Sequence, residues 1–291
     1  MPAISESIAK FDSCFSTNEA CYSFFYSIKW PEGFRCPRCN HHAAYRITSR
    51  FSDLYQCYSC RHQTTLTAGT LMAKSRTPLR KWLLVLFLIS LHQFQINAVQ
   101  ISIALHVTYK TAWGMLHKIR QFISQADEHE KLSGVIKAAV ELYARKQHSS
   151  NHDSPKERSI IIACSSSFCS ASYFKFKVIP SAHLNERCLL RSGVAAFARN
   201  CVSDSYVNNI IIQPLYRMAD SRLLRSQYKR SIIKLNACFK GIGATHLQSY
   251  LNYLCFFLNN PSLDPHSLLH ELTSLCLGRP LSKNALLPLA Q

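Results

Sequence analysis

Four cysteines, Cys36, Cys39, Cys57 and Cys60, stand as two C-x2-C pairs with seventeen residues between them. A thiolate is a soft anionic ligand, and two such pairs folded towards each other set four sulfurs tetrahedrally about one Zn²⁺. Two other readings stand beside this one: four free or disulfide-bonded cysteines, or a site that uses His41 or His42. Two complete pairs make the histidines unnecessary. A segment this short has too little apolar interior to be stable alone, so the metal would be structural and its binding coupled to folding. A second group, Lys110, Thr111, His117, Lys118 and Arg120, offers cations and hydrogen-bond donors suited to phosphates and base edges. Each of these is equally at home as a solvated helix residue.

The elements that position the cysteines read as a zinc ribbon over residues 30–72. A strand-like run, Ala43–Ile47, lies between the knuckles, and the second knuckle follows Phe51–Gln56. Residues 1–29 form an N-terminal helical segment with a helix over 17–28. Ser16 or Thr17 caps it, and Cys21, Phe24, Phe25 and Ile28 share a face. After a basic linker ending at Thr77-Pro78, residues 77–125 read as three helices. Leu79–Leu91 is the first, and Asn97 caps the second. Thr108 caps the third, which starts at Tyr109 with Ala112, Leu116 and Ile119 facing inward. The tight turn His106-Val107-Thr108 and a basic following helix make a helix-turn-helix signal. A helical bundle with a charged face fits the same pattern, and glycine would suit the turn better than His106.

Beyond a polar boundary at 125–130, strand and helix signals alternate over 131–291. Strands are expected at Gly134–Tyr143 and Ser159–Cys164. A half-buried one is expected at Ser172–Pro180, with Phe174, Phe176 and Val178 opposing Lys175 and Lys177. Helices are expected at Asn185–Phe197 and Thr245–Asn259, a short strand at Cys201–Ser203 and a polar loop at His148–Lys156.

A chain of 291 residues suits two or three small domains. Its 34 Lys+Arg against 16 Asp+Glu give a net charge of +18, which points to a polyanionic partner, DNA or RNA. The longest apolar stretch, Trp82–Leu91, is about half of a membrane-spanning helix, so no membrane partner is expected. The first residues lack a basic and then apolar export signal, and the other nine of the 13 cysteines form no disulfide framework. The expected location is cytoplasmic.

Several segments carry a family resemblance. Trp30–Cys39, Tyr55-Gln56-Cys57, Thr67–Thr70, Pro78–Trp82 and above all Tyr109–Arg120 occur in the order found in bacterial insertion-sequence transposases. Those proteins join a zinc ribbon to a DDE-type catalytic domain. Leu132–Val135 resembles the start of that domain and Thr245–Asn252 its closing helix. The resemblance implies a multidomain chain: a small β zinc ribbon, an α-helical helix-turn-helix, then a divergent α/β RNase H-like domain. It implies DNA as partner, specifically the element's terminal inverted repeats, and it is compatible with a homo-oligomer.

The family's chemistry uses three polar groups on two divalent ions, Mg²⁺ or Mn²⁺, which bind hard oxygen donors. The pattern is Asp on the first strand, Asp after the fourth, and Asn or Glu on a late helix. Asp204 matches the second position. The first falls on Ala139 or Val140, neither of which binds metal, and Glu141 points to the opposite face from Val140. The third falls on Lys234, with Asn236 two residues away. Residues 131–291 hold eight Asp+Glu against twenty Lys+Arg, few carboxylates for such a site. Asp204 also reads as a strand-end turn residue or helix cap. The expected function is thus a DNA-binding transposase, or its remnant, with strand cleavage and transfer impaired. The alternatives are a non-enzymatic, domesticated DNA-binding regulator, or a zinc-ribbon transcription protein unrelated to mobile elements.

Overall fold

The computed structural model describes residues 3–48, 53–143, 158–167, 170–185, 188–213 and 222–278. The loop expected at His148–Lys156 lies outside these residues. The chain divides into two compact units, one of residues 1–122 with 263–291 and one of residues 123–262.

The first unit opens with two helices, α1 (Ile4–Cys14) and α2 (Asn18–Lys29). Thr17 caps α2 by accepting the Ala20 N–H, which satisfies one of the donors a helix start leaves open. A three-stranded antiparallel sheet follows, β1 (Ala44–Ile47), β2 (Leu54–Cys57) and β3 (Gln63–Thr65), in that order. Then come α3 (Leu79–His92), α4 (Ala98–Leu105) and the start of α5 (Tyr109–His129). Every residue of α3 from Trp82 to Ser90 is buried, so this helix has no solvent side and needs partners all round. Helices α1, α2 and α4 supply three of them. Asn97 caps α4 through the N–H groups of Val99 and Gln100, and Gln100 returns a bond to the Asn97 N–H. His106 ends α4 at φ +49°, the left-handed conformation for which glycine carries no steric cost.

In the second unit, β4 (Val135–Tyr143), β5 (Arg158–Ser167) and β6 (Ser170–Val178) pair antiparallel in sequence. A short ladder, β7 (Leu184–Asn185) with β8 (Cys188–Leu189), precedes α6 (Arg191–Cys201). Next, β9 (Ile210–Gln213) joins the far edge of β4 in parallel, giving the mixed order β6-β5-β4-β9. Helices α7 (Arg222–Cys238) and α8 (Leu247–Asn259) complete the unit. Because side chains alternate along a strand, the sheet has two apolar faces. Ile136, Ala138, Val140, Ile161 and Ala163 form one core with Phe197 and Cys201 of α6. On the other, Phe176 meets Tyr228 of α7 edge to face, with ring centroids 5.4 Å apart. Helix α8 closes the β6 edge with carboxamides. Gln248 and Asn259 each accept from and donate to the strand backbone, at Val178 and Phe176 and at Phe174 respectively.

From Leu263 the chain returns to the first unit with α9 (Pro265–Cys276), capped by Asp264. It buries Leu268, Leu269, Leu272 and Leu275, packs on α3 and α2, and its Cys276 carbonyl accepts the Leu71 N–H at 3.0 Å. The expected single segment 131–291 is therefore split, since α3 needs a further apolar neighbour and α9 provides it.

Two expectations shift along the chain. Leu184–Asn185 and Cys188–Leu189 form the β7–β8 ladder and the helix starts at Arg191, because Val194, Phe197, Ala198 and Cys201 keep helical spacing while the earlier residues do not. Cys201–Ser203 is not a strand. Cys201 ends α6, Val202 makes an isolated bridge to Leu132, and Asp204 begins a 3-10 turn to Asn209. Among the described residues, no helix is long and apolar enough to cross a membrane.

Candidate metal centre

The two knuckles are built alike from local rules. In the first, the Cys36 N–H bonds the His41 carbonyl at 2.9 Å, and the Asn40 N–H bonds the Cys36 carbonyl at 2.9 Å. In the second, the Cys57 N–H bonds the His62 carbonyl at 2.9 Å, and the Arg61 N–H bonds the Cys57 carbonyl at 3.1 Å. Asn40 and Arg61, one residue past each second cysteine, both turn through positive φ, +59° and +54°. Pairing of Ala44 with Cys57 holds the knuckles together.

The result is convergence. The four sulfurs lie within 4.8 Å of one another, with Cys36–Cys60 and Cys39–Cys57 each at 3.6 Å. That is far beyond a disulfide of about 2.05 Å. It suits the edges of a zinc–thiolate tetrahedron, about 3.8 Å for Zn–S bonds near 2.3 Å. Neither His41 nor His42 belongs to the cluster, and their rings stack on each other at 5.0 Å. Among the described residues this is the one group of three or more His, Cys, Asp or Glu side chains able to hold a metal ion.

The thiols feel one another. Burial opposes ionisation of Cys36, but the N–H groups of Cys39 and Arg38 and the neighbouring thiols pull it down to about 6. The His62 N–H favours the Cys60 thiolate, yet burial and the surrounding sulfurs push it up to about 12. One thiolate forms readily and further ones are resisted, a balance that a dication reverses.

A small aromatic core supports the centre. Trp30 packs against Phe34 and Tyr55 at 5.1 Å each, and Phe34 stacks on Tyr55 at 5.6 Å. Tyr26 of α2 joins them, and the Tyr22 hydroxyl meets that of Tyr55 at 2.7 Å. The Lys29 ammonium donates to the carbonyls of Thr65, Leu66 and Ala68, although burial pushes its pKa down to about 8. Helix α2 and the ribbon are thus one packed piece.

The residues expected to face DNA are divided by burial. Lys110 is exposed, and Lys118 and His117 are half-buried, with His117 stacked on Trp113 at 4.8 Å. Thr111 is half-buried and its hydroxyl lies 3.0 Å from that of Thr108 in the helix cap. Arg120 is 1% exposed, contrary to the expectation that it faces outward. It follows Leu116 by four residues, at the margin of the stripe of Ala112, Leu116 and Ile119. Spacing within the knuckles could have drawn attention to two other cations. Arg38, inside the first, and Arg61, just after the second, are exposed, as are Tyr45 and Tyr58.

In the α/β unit the expected catalytic positions have different surroundings. Ala139 and Val140 are fully buried, and Glu141, 2% exposed, binds Arg225 at 2.6 Å. Asp204 is 95% exposed, with Lys131 as an ion-pair neighbour at 3.8 Å. The β4–β9 register sets Gln213, not Asp204, beside Ala139. Lys234 is exposed on α7, while the Asn236 carboxamide accepts from the Tyr143 hydroxyl at 2.9 Å.

Comparison with curated proteins and with solved structures gives no significant match over this chain. Residues 16–63, which take in α2 and both knuckles, match the family model described as the transposase zinc-ribbon domain.

Proposed function

We propose that this chain is a DNA-binding protein of the transposase type, with a zinc-stabilised ribbon, whose α/β unit no longer cuts or joins strands. The observation that carries the proposal is the four-sulfur cluster inside a segment that matches a transposase zinc-ribbon domain. The partner is the terminal inverted repeats of an insertion sequence. Arg38 and Arg61 at the knuckles, with Lys110 and Lys118 on α5, supply cations for phosphates. The α4–turn–α5 unit acts as the helix-turn-helix, and Arg120 serves inside it rather than on the DNA.

The mixed sheet, with three antiparallel strands and a parallel neighbour of the first, is consistent with an RNase H-like domain. A two-metal reaction needs clustered oxygen donors, and here those positions carry Ala139, Asp204 and Lys234. The reading of a non-enzymatic regulator of transposition follows from the same observation.

Two measurements test this. Affinity for a duplex carrying the repeats should fall with salt, and Arg38→Ala with Lys110→Ala should reduce the slope of log K against log salt by roughly 2. An unchanged slope removes these residues from the interface. Strand transfer on the same duplex with Mg²⁺ or Mn²⁺ should be undetectable. Transfer that Asp204→Ala abolishes would restore the catalytic reading.

A further inference from the structure

A cavity of about 640 Å³ opens in the α/β unit between the α6 face of the sheet and the ends of α5 and α8. One wall is charged. The Asp127 carboxylate accepts from Lys177 at 2.5 Å and from Lys175 at 3.0 Å, so two ammonium groups share one carboxylate. Lys175 is 1% and Asp127 8% exposed, which leaves a net positive charge where water screens it poorly. Lys177 uses a second hydrogen on Asn252 at 3.1 Å and keeps a third for another acceptor. Lys131 and Arg199 also line the cavity, against Asp127 and Glu128, so its charged lining carries four cations and two anions. Apolar side chains, Ile161, Ile179, Pro180 and Phe197, also line the cavity, with Ile161 paired beside Lys177 across the two strands. Ile161, Lys175 and Lys177 share the sheet face of Val140, whereas Ala139 and Glu141 alternate onto the other.

A buried excess of positive charge beside an apolar slot calls for a ligand with one anionic end and one flat apolar end. The volume suits a small organic molecule rather than a bare ion. We infer that the cavity binds a nucleotide, with its phosphate beside Lys177, Lys131 and Arg199 and its base against Phe197, Ile179 and Pro180. The nucleotide is either free or the 5′-phosphorylated end of a strand. A purely structural brace, Lys175–Asp127–Lys177 tying α5 to β6, is the competing account.

Titration calorimetry of the full chain with adenosine 5′-monophosphate, inorganic phosphate and adenosine separates the two. One saturable site for the monophosphate is expected, with phosphate and adenosine each at least about tenfold weaker. Lys177→Met should weaken the monophosphate about tenfold and Lys177→Arg much less. Arg199→Ala changes an exposed residue and keeps the test valid if Lys177→Met fails to fold. It should cost about threefold with an unchanged melting temperature. No saturable heat with the wild type, affinity unaffected by the variants, or phosphate alone binding as tightly would overturn the inference. Displacement of the monophosphate by a 5′-phosphorylated oligonucleotide, but not by its 5′-hydroxyl form, assigns the site to strand ends; no displacement by either assigns it to free nucleotide. Zinc chelation that abolishes duplex binding should leave this titration intact, so the DNA-binding reading and this one fail separately.

Discussion

The ribbon and the α/β unit treat their polar side chains in opposite ways. In the ribbon, four thiols converge within 4.8 Å and leave their charge to be met by a metal. In the α/β unit, polar groups near the sheet are engaged by other protein groups: Glu141 by Arg225, Asn236 by Tyr143, Asp127 by two lysines. The difference is one of range. Each knuckle is set by a few residues and a repeated hydrogen-bond pattern, so convergence needs little beyond one strand pairing. A site across β4, the segment at Asp204 and α7 would need three distant segments brought into register.

The sharpest way to break this contrast is at the metal. Cys39→Ser should lower zinc content from about one per chain towards none and unfold the ribbon, since structural zinc contributes about 10 kcal/mol or more to such segments. Zinc analysis alongside near-UV circular dichroism reads both, and a folded ribbon without metal would remove the claim. Glu141→Ala should follow at about 3–5 kcal/mol in urea unfolding, because it strips the carboxylate from a buried ion pair. If Glu141 instead served a metal, the variant would alter Mn²⁺ binding and leave stability nearly unchanged.

Smaller effects sharpen the picture of the α/β unit and of α9. A Cβ at Gly193 would lie 2.5 Å from Leu189 Cδ1 and 2.9 Å from His183 Cβ, so Gly193→Ala should cost about 1–3 kcal/mol. Denaturation that matches wild type would mean that the β7–β8 ladder moves aside freely. Asp264→Ala should cost about 1 kcal/mol at neutral pH by removing the α9 cap. The Ser267 hydroxyl, with the N–H groups of Ser267 and His266, holds the Asp264 carboxyl below its ordinary value. A lowered folded pKa contributes stability above the ordinary carboxylate range and loses it as pH falls through the folded value. The melting-temperature gap between wild type and variant should therefore narrow as pH falls below the ordinary carboxylate range.

Legibility followed the same division of range. The caps Thr17, Asn97 and Thr108 and the stripe Ala112–Leu116–Ile119 were readable because each depends on neighbours within one turn. The parallel edge strand Ile210–Gln213 is not among the expected strands, because its place in the sheet rests on pairing with the distant β4. The helix expected from Asn185 began six residues late, because a close approach at Gly193 and the β7–β8 ladder took the preceding residues. Helical spacing alone puts Arg120 at the margin of the buried stripe, and packing buries it.

What the sequence determined by itself is the metal centre: four soft ligands at fixed spacing, in knuckles whose geometry is local. Only the tertiary structure decided that α9 packs beside α3, that Arg120 is buried, and that Lys175 and Lys177 share Asp127 beside a cavity. The physical reason is that burial and pairing of charge depend on which distant surfaces meet, and spacing along the chain does not carry that information.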